Sequence, residues 1–129
     1  MEKKRTIIFI LEDEPLHVDM YRDKLTRAGF TVLTARDEAE THKVLADHTP
    51  DLMVLDVYLP GKWGTDILEE LRTDPRFAKI PVVFLTNLEN SEIRERAMKL
   101  GAREFLIKAS VTPQQVLATL EKVLQETYA

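Results

Sequence analysis

Five short apolar runs recur along this chain: TIIFIL (6–11), TVLTA (31–35), DLMVLD (51–56), IPVVFLT (80–86) and REFLIK (103–108). Most are continuous rather than alternating, the pattern of strands covered on both faces. Their β-branched content favours strand over buried helix. A sheet buried on both sides needs helices above and below it, and the stretches between the runs supply them. Within 14–28, Val18, Tyr21, Leu25 and Ala28 share a face, with Pro15 suited to a first helical turn. Segment 38–47 offers Ala39 and Leu45, 65–73 offers Ile67, Leu68 and Leu71, and 90–100 offers Ile93, Ala97 and Leu100. The last helix, 113–127, offers Val116, Leu120, Val123 and Leu124. Asp37 and Thr112 are expected N-caps, and Gly29 and Gly101 stand where C-terminal cap glycines stand.

Five strand–helix units imply a parallel sheet, because each return crossover carries a helix. At 129 residues, with no linker-like, low-complexity or like-charge tract, the chain reads as one domain spanning 1–129. A net charge of −4 argues against nucleic-acid or anionic-membrane binding through charge alone. No cysteine is present, which excludes disulfides and thiolate metal sites. The run IIFIL after KKRT stops at EDE, too short for a signal-peptide core or a membrane span. A cytoplasmic protein is the expectation.

The chemistry collects at the carboxyl ends of these strands. The first run is followed by Glu12-Asp13-Glu14, the third ends at Asp56, the fourth leads into Thr86-Asn87 and the fifth ends at Lys108. Open α/β sheets bind ligands outside those ends, where strand order reverses. If the order is 2-1-3-4-5, strands 1 and 3 are neighbours there, and Glu12, Asp13 and Asp56 would converge. Three close carboxylates repel, and a proton or a cation must relieve them. Mg2+ suits such a set, since it takes one or two carboxylates, keeps waters and binds phosphate oxygens. With the Lys108 ammonium and the Thr86 hydroxyl, the set matches what phosphoryl transfer to a carboxylate requires.

LEDE (11–14), VLDVYLPGKWG (54–64), VVFLTN (82–87) and EFLIKA (104–109) together resemble the receiver domain of two-component response regulators. The resemblance covers essentially the whole chain, with the motifs in order. It implies a flavodoxin-like α/β fold, a five-stranded parallel sheet in order 2-1-3-4-5 with helices on both faces. By the same resemblance Asp56 is the phosphoacceptor, receiving its phosphoryl group from a sensor histidine kinase or a phosphotransfer protein. Asp13 and Asp56 are then Mg2+ ligands, Glu12 acts through a water, and the Tyr58 backbone carbonyl is a further ligand. Thr86 and Lys108 hold the phosphoryl oxygens. Thr86 and Phe105 form the switch, Phe105 turning inward as Thr86 moves. The signal is read on the surface of the fourth helix, fifth strand and fifth helix. Such a protein is a monomer or a phosphorylation-dependent dimer, catalyses only its own phosphorylation and dephosphorylation, and is either a stand-alone receiver or part of a longer regulator.

Three positions depart from the family's pattern. Ala109 replaces the proline often found after the lysine, so a trans bond is expected there. Phe105 replaces the commoner tyrosine, and Glu12 an aspartate. Other readings stay open for single residues: Phe105 as plain core, Trp63 as a partner contact or as packing on the third helix, and His17 as a surface residue despite lying one helical turn after Asp13. Two functions compete with the receiver reading. One is a degenerate receiver that signals without phosphate. The other is an aspartate-nucleophile phosphohydrolase, disfavoured because Tyr58 stands where its second acid belongs.

Overall fold

A computed structural model describes residues 6–129; the first five residues of the expected 1–129 domain lie outside the described residues. The strands are β1 (Ile7–Leu11), β2 (Thr31–Ala35), β3 (Leu52–Leu55), β4 (Val82–Thr86) and β5 (Ala102–Ile107). Between and after them run α1 (Pro15–Arg27), α2 (Glu38–Asp47), α3 (Gly64–Arg72), α4 (Ser91–Lys99) and α5 (Pro113–Tyr128), with one 3-10 turn at Lys108–Ser110. The sheet is parallel, in order β2-β1-β3-β4-β5. β1 is central, aligning Ile8 with Val32 on one side and with Leu52 on the other.

Continuous apolar strands follow from two cores, one on each face. Phe9, Leu11, Met53, Leu55 and Phe84 meet Leu45 of α2, Ile67, Leu68 and Leu71 of α3 and Ala97 of α4. Ile8, Ile10, Leu52, Val54 and Leu85 meet Tyr21 and Leu25 of α1 and Val116, Leu120 and Val123 of α5. Alternate side chains of one strand thus enter opposite cores, so the strands are apolar on both faces over most of their length. Each fully buried Leu, Ile or Phe contributes about 1.5–3 kcal/mol, which anchors the helices whose ends build the site.

The expected caps form. Asp37 accepts from Glu40 N, and Thr112 and Gln115 make a reciprocal capping box at the start of α5. Gly29 and Gly101 follow α1 and α4 at φ 102° and 90°, where a side chain would be strained. Most boundaries differ from the sequence expectation by one or two residues; at β3 the flanking Asp51 N and Asp56 N still donate to Ile7 O and Leu11 O of β1. Asp51 uses its carboxylate to accept from Ile7 N at 2.8 Å.

Candidate functional site

β1 and β3 end side by side. Asp56 N donates to Leu11 O at 3.0 Å just past the last paired residues, so the acids that follow each strand meet across one register step. Carboxylate oxygens of Glu12, Asp13 and Asp56 all lie within 4.8 Å of one another. Glu12 is 3% exposed and Asp56 6%. Lys108, delivered by the end of β5, answers this charge: its Nζ donates to Asp56 Oδ2 at 2.7 Å and also to Glu12 Oε1. These groups line an open cleft of about 420 Å³ together with Glu14, His17, Tyr58, Thr86, Asn87 and Leu88.

Burial raises the pKa of Glu12, and the Asp56 charge adds to that rise; the Lys108 and Glu14 N–H contacts only partly oppose it. Burial opposes the charged ammonium of Lys108 as well. There, hydrogen bonds to Asp56 and Glu12 win, and the pKa rises. Burial thus prevails at Glu12, which has only a share of one cation, and pairing prevails at Lys108, whose ammonium gains two carboxylates.

The loop after β3 is shaped by close backbone approach. Gly64 N donates to Val57 O at 2.7 Å, and a Cβ on Gly64 would sit 1.8 Å from Asp56 O. Only glycine fits. The turn brings Tyr58 N to 3.2 Å from Asp56 Oδ1, which holds one carboxylate oxygen in place. Tyr58 itself is 68% exposed and meets Trp63 edge-to-face at 5.7 Å. Trp63, left open between partner contact and packing, stands at the N-cap of α3 with its ring against Tyr58.

Glu14 occupies the N-cap of α1 without a side-chain cap; Glu12 Oε2 accepts from Glu14 N at 3.0 Å instead. Thr86 is fully buried, and its hydroxyl accepts from Leu88 N at 3.2 Å. An accepting hydroxyl keeps its own hydrogen to donate. No cis peptide occurs among the described residues, so Lys108–Ala109 is trans, and Asn87 Oδ1 takes the Ala109 N–H at 3.0 Å.

Two placements differ from expectation. His17 is not a surface bystander: its Nδ1 lies 3.4 Å from Lys108 Nζ and 3.6 Å from Glu12 Oε1. The spacing of four from Asp13 was the available signal, since residues one helical turn apart share a face. Phe105, expected to turn inward as Thr86 moves, stands buried in this structure. It is 7% exposed, packs on Phe84 at 6.0 Å, lies 5.4 Å under the Arg94 guanidinium, and its carbonyl oxygen accepts from Arg94 Nη2 at 3.1 Å. Arg94 was not legible as a partner because the contact joins a helix to a strand eleven residues away.

A family model described as the response regulator receiver domain matches residues 8–121. The phosphate regulon transcriptional regulatory protein PhoB of Pseudomonas aeruginosa is 29% identical over 123 residues, 95% of this chain and 53% of that protein. The alkaline phosphatase synthesis transcriptional regulatory protein PhoP of Bacillus subtilis is 31% identical over 127 residues, 98% of this chain and 50% of that protein. The chain thus spans about half the length of these two regulators. The non-phosphorylated HemR receiver domain of Leptospira biflexa superposes with a TM-score of 0.85 at 28% identity, over 93% of this chain and 94% of that one. The chemotaxis response regulator CheY4 of Vibrio cholerae, at 24% identity, shares the fold with a TM-score of 0.83 over 92% of this chain and 98% of its own. With the strand order and the converging acids in place, the match over 8–121 shows that this chain belongs to the response regulator receiver-domain family of two-component systems.

Proposed function

We propose that this chain, read as one receiver domain over 1–129, takes a phosphoryl group onto Asp56 from a histidine kinase or phosphotransfer protein and passes the change to a partner surface. The observation that carries this is the pairing of a buried Asp56 with Lys108 at 2.7 Å, beside two further carboxylates. An Asp56 oxygen attacks the phosphorus of a phosphohistidine, the P–N bond breaks, and the imidazole leaves with the bonding pair and takes up a proton. The product is an acyl phosphate. Lys108 turns its ammonium from the Asp56 carboxylate to a phosphoryl oxygen, and Thr86 donates its hydroxyl hydrogen to another.

Receiver domains of this family use Mg2+ at their acidic pocket, and the donor set here fits a hard cation with oxygen ligands. Asp13, Asp56 and the Tyr58 carbonyl would hold it, with Glu12 acting through a water. Bound there, the ion supplies positive charge against the phosphoryl oxygens. The chain's own part is to keep the nucleophile aimed, which Lys108 and Tyr58 N do from two sides.

Thr86 and Leu88 link the site to α4 through one hydrogen bond, and Asn87 ties the same loop to Ala109 before α5. The reading surface of α4, β5 and α5 therefore changes through that loop, with Phe105 already seated. Among the described residues no helix is long and apolar enough to cross a membrane, in keeping with a cytoplasmic site of action. Intact-mass measurement after incubation with acetyl phosphate and Mg2+ tests the reading. Wild type gains one phosphoryl group and Asp56→Asn none; equal labelling of both would overturn the assignment.

A further inference from the structure

The Lys108 ammonium has three hydrogens, and the structure provides three acceptors: Asp56 Oδ2, Glu12 Oε1 and His17 Nδ1. Two of them are carboxylates whose bonding changes during the proposed reaction. Asp56 becomes an acyl phosphate, and Glu12 would turn to a water on a bound Mg2+. His17 does neither. It stands in the first turn of α1, its ring held by Tyr21 at 6.4 Å and 46°, and its side chain 33% exposed at the cleft rim. An ammonium only donates, so in this contact Nδ1 is the ring nitrogen placed to accept.

We propose that His17 is a positioning residue for Lys108: it is the one acceptor that stays constant while the other two are drawn away, and it keeps the ammonium within reach of the phosphoryl oxygens. This rests on Lys108 acting as the group that holds those oxygens. Without His17 the ammonium is held only by the two groups that change. Lys108 carries a long side chain with much rotamer freedom, so losing a fixed contact disperses it.

Three substitutions separate acceptance from mere bulk. His17→Asn places an amide oxygen near the Nδ1 position, His17→Gln places one near Nε2, and His17→Leu offers no acceptor. The free protein is read first, through the 1H–15N resonance of the Lys108 ammonium. Wild type and the Asn variant are expected to share one shifted, slowly exchanging signal that Gln and Leu variants lose. With acetyl phosphate and Mg2+, labelling should be about three- to tenfold slower in the Gln and Leu variants and within about twofold of wild type in Asn. Melting followed by circular dichroism confirms folding, and if Leu fails to fold, the Asn–Gln pair still decides. An unchanged Lys108 signal in Gln, an unchanged labelling rate in Gln, or an equal loss in Asn overturns the proposal. Failure of wild type to label on Asp56 strikes the proposed function instead, and the Lys108 resonance still decides His17's part.

Discussion

Two buried cations sit at opposite ends of this sheet, and they are held differently. Lys108, at the carboxyl end, is surrounded by side chains that can titrate, ligate or react. Arg72, the last residue of α3, sits by the amino ends of β4 and β5. Its guanidinium donates to the carbonyls of Leu100 at 3.0 Å, Phe77 at 3.0 Å, Ala78 at 3.3 Å and Ile80 at 2.7 Å. No carboxylate among the described residues lies within ion-pair distance of it, and burial lowers its pKa. Backbone carbonyls neither ionise nor move independently of the fold. A cation held by them is a fixed tie joining α3, the loop to β4 and the end of α4. A cation held by carboxylates can be released when the charge around it changes. The same physics of burial yields a clamp at one end and a movable group at the other.

Breaking the fixed tie should have the largest effect on stability. Arg72→Ala removes four hydrogen bonds and leaves carbonyls in a half-buried setting, which should cost about 3 kcal/mol. Urea unfolding measures it, and labelling of Asp56 in the folded fraction should stay as in wild type. A loss below about 1 kcal/mol would mean that water replaces the guanidinium freely and that the two cations differ less than their partners suggest.

Lys108→Met should act the other way round. In metal-free protein, removing the cation leaves crowded buried carboxylates and costs about 2 kcal/mol. Mg2+ should restore part of that, because a cation answers the same charge; it should restore nothing in Arg72→Ala. The pH dependence follows from the raised pKa of Lys108. Its stabilisation is fully present below the unfolded value of about 10.5 and is lost as pH rises through the higher folded value. Wild type should therefore lose stability above about pH 10.5 by a step that Lys108→Met lacks.

How far each end was legible from sequence follows the same division. The carboxyl-end acids and Lys108 sit directly after apolar runs, so strand order alone brings them together. Periodicity gave α2 its two ends, since Asp37 caps by local bonding and Asp47 precedes the loop into β3. Arg72 gave no signal, because its partners are backbone oxygens that every sequence carries. His17 gave a weak one, since spacing places it on the right face without saying that Lys108 arrives there from 91 residues away. The setting of Phe105 gave no signal, because it is made by Arg94 and Phe84, contacts between elements. Residues fixed by one element's local pattern were readable; those fixed by meetings between elements were not.

A movable site should also have a tunable lifetime. Tyr58 and Leu88 both line the cleft, Leu88 packs against the core, and neither carries an acid or amide that orients a water. A Tyr58→Asn, Leu88→Glu double variant should lose its phosphoryl group about tenfold faster, or ~1.4 kcal/mol in barrier. Decay followed after donor removal gives the comparison. Equal rates would show that the cleft's width, and not these two side chains, governs water access.

The smallest expected effect probes Glu12, where burial and pairing oppose each other most evenly. Its pKa is raised, by burial first and by Asp56 besides. A raised carboxyl pKa means that the folded protein holds the proton more tightly than the unfolded chain does. The associated stabilisation is present below the unfolded value of about 4.5 and is lost as pH climbs through the higher folded value. At neutral pH the ionised Glu12 is thus a net cost in the metal-free protein. Glu12→Gln removes that cost and keeps one oxygen, enough to accept from Glu14 N or from Lys108 but not from both. The variant should be slightly more stable than wild type at pH 7 without metal, the smallest change of the set. The gain should vanish below about pH 4.5 and shrink when Mg2+ is added, since bound cation relieves the same repulsion in wild type. Denaturant titrations at pH 4 and pH 7, each with and without Mg2+, give the four values. A variant less stable than wild type at pH 7 would show that the Lys108 contact outweighs burial. Glu12 would then belong with the fixed ties, beside the carbonyls that hold Arg72.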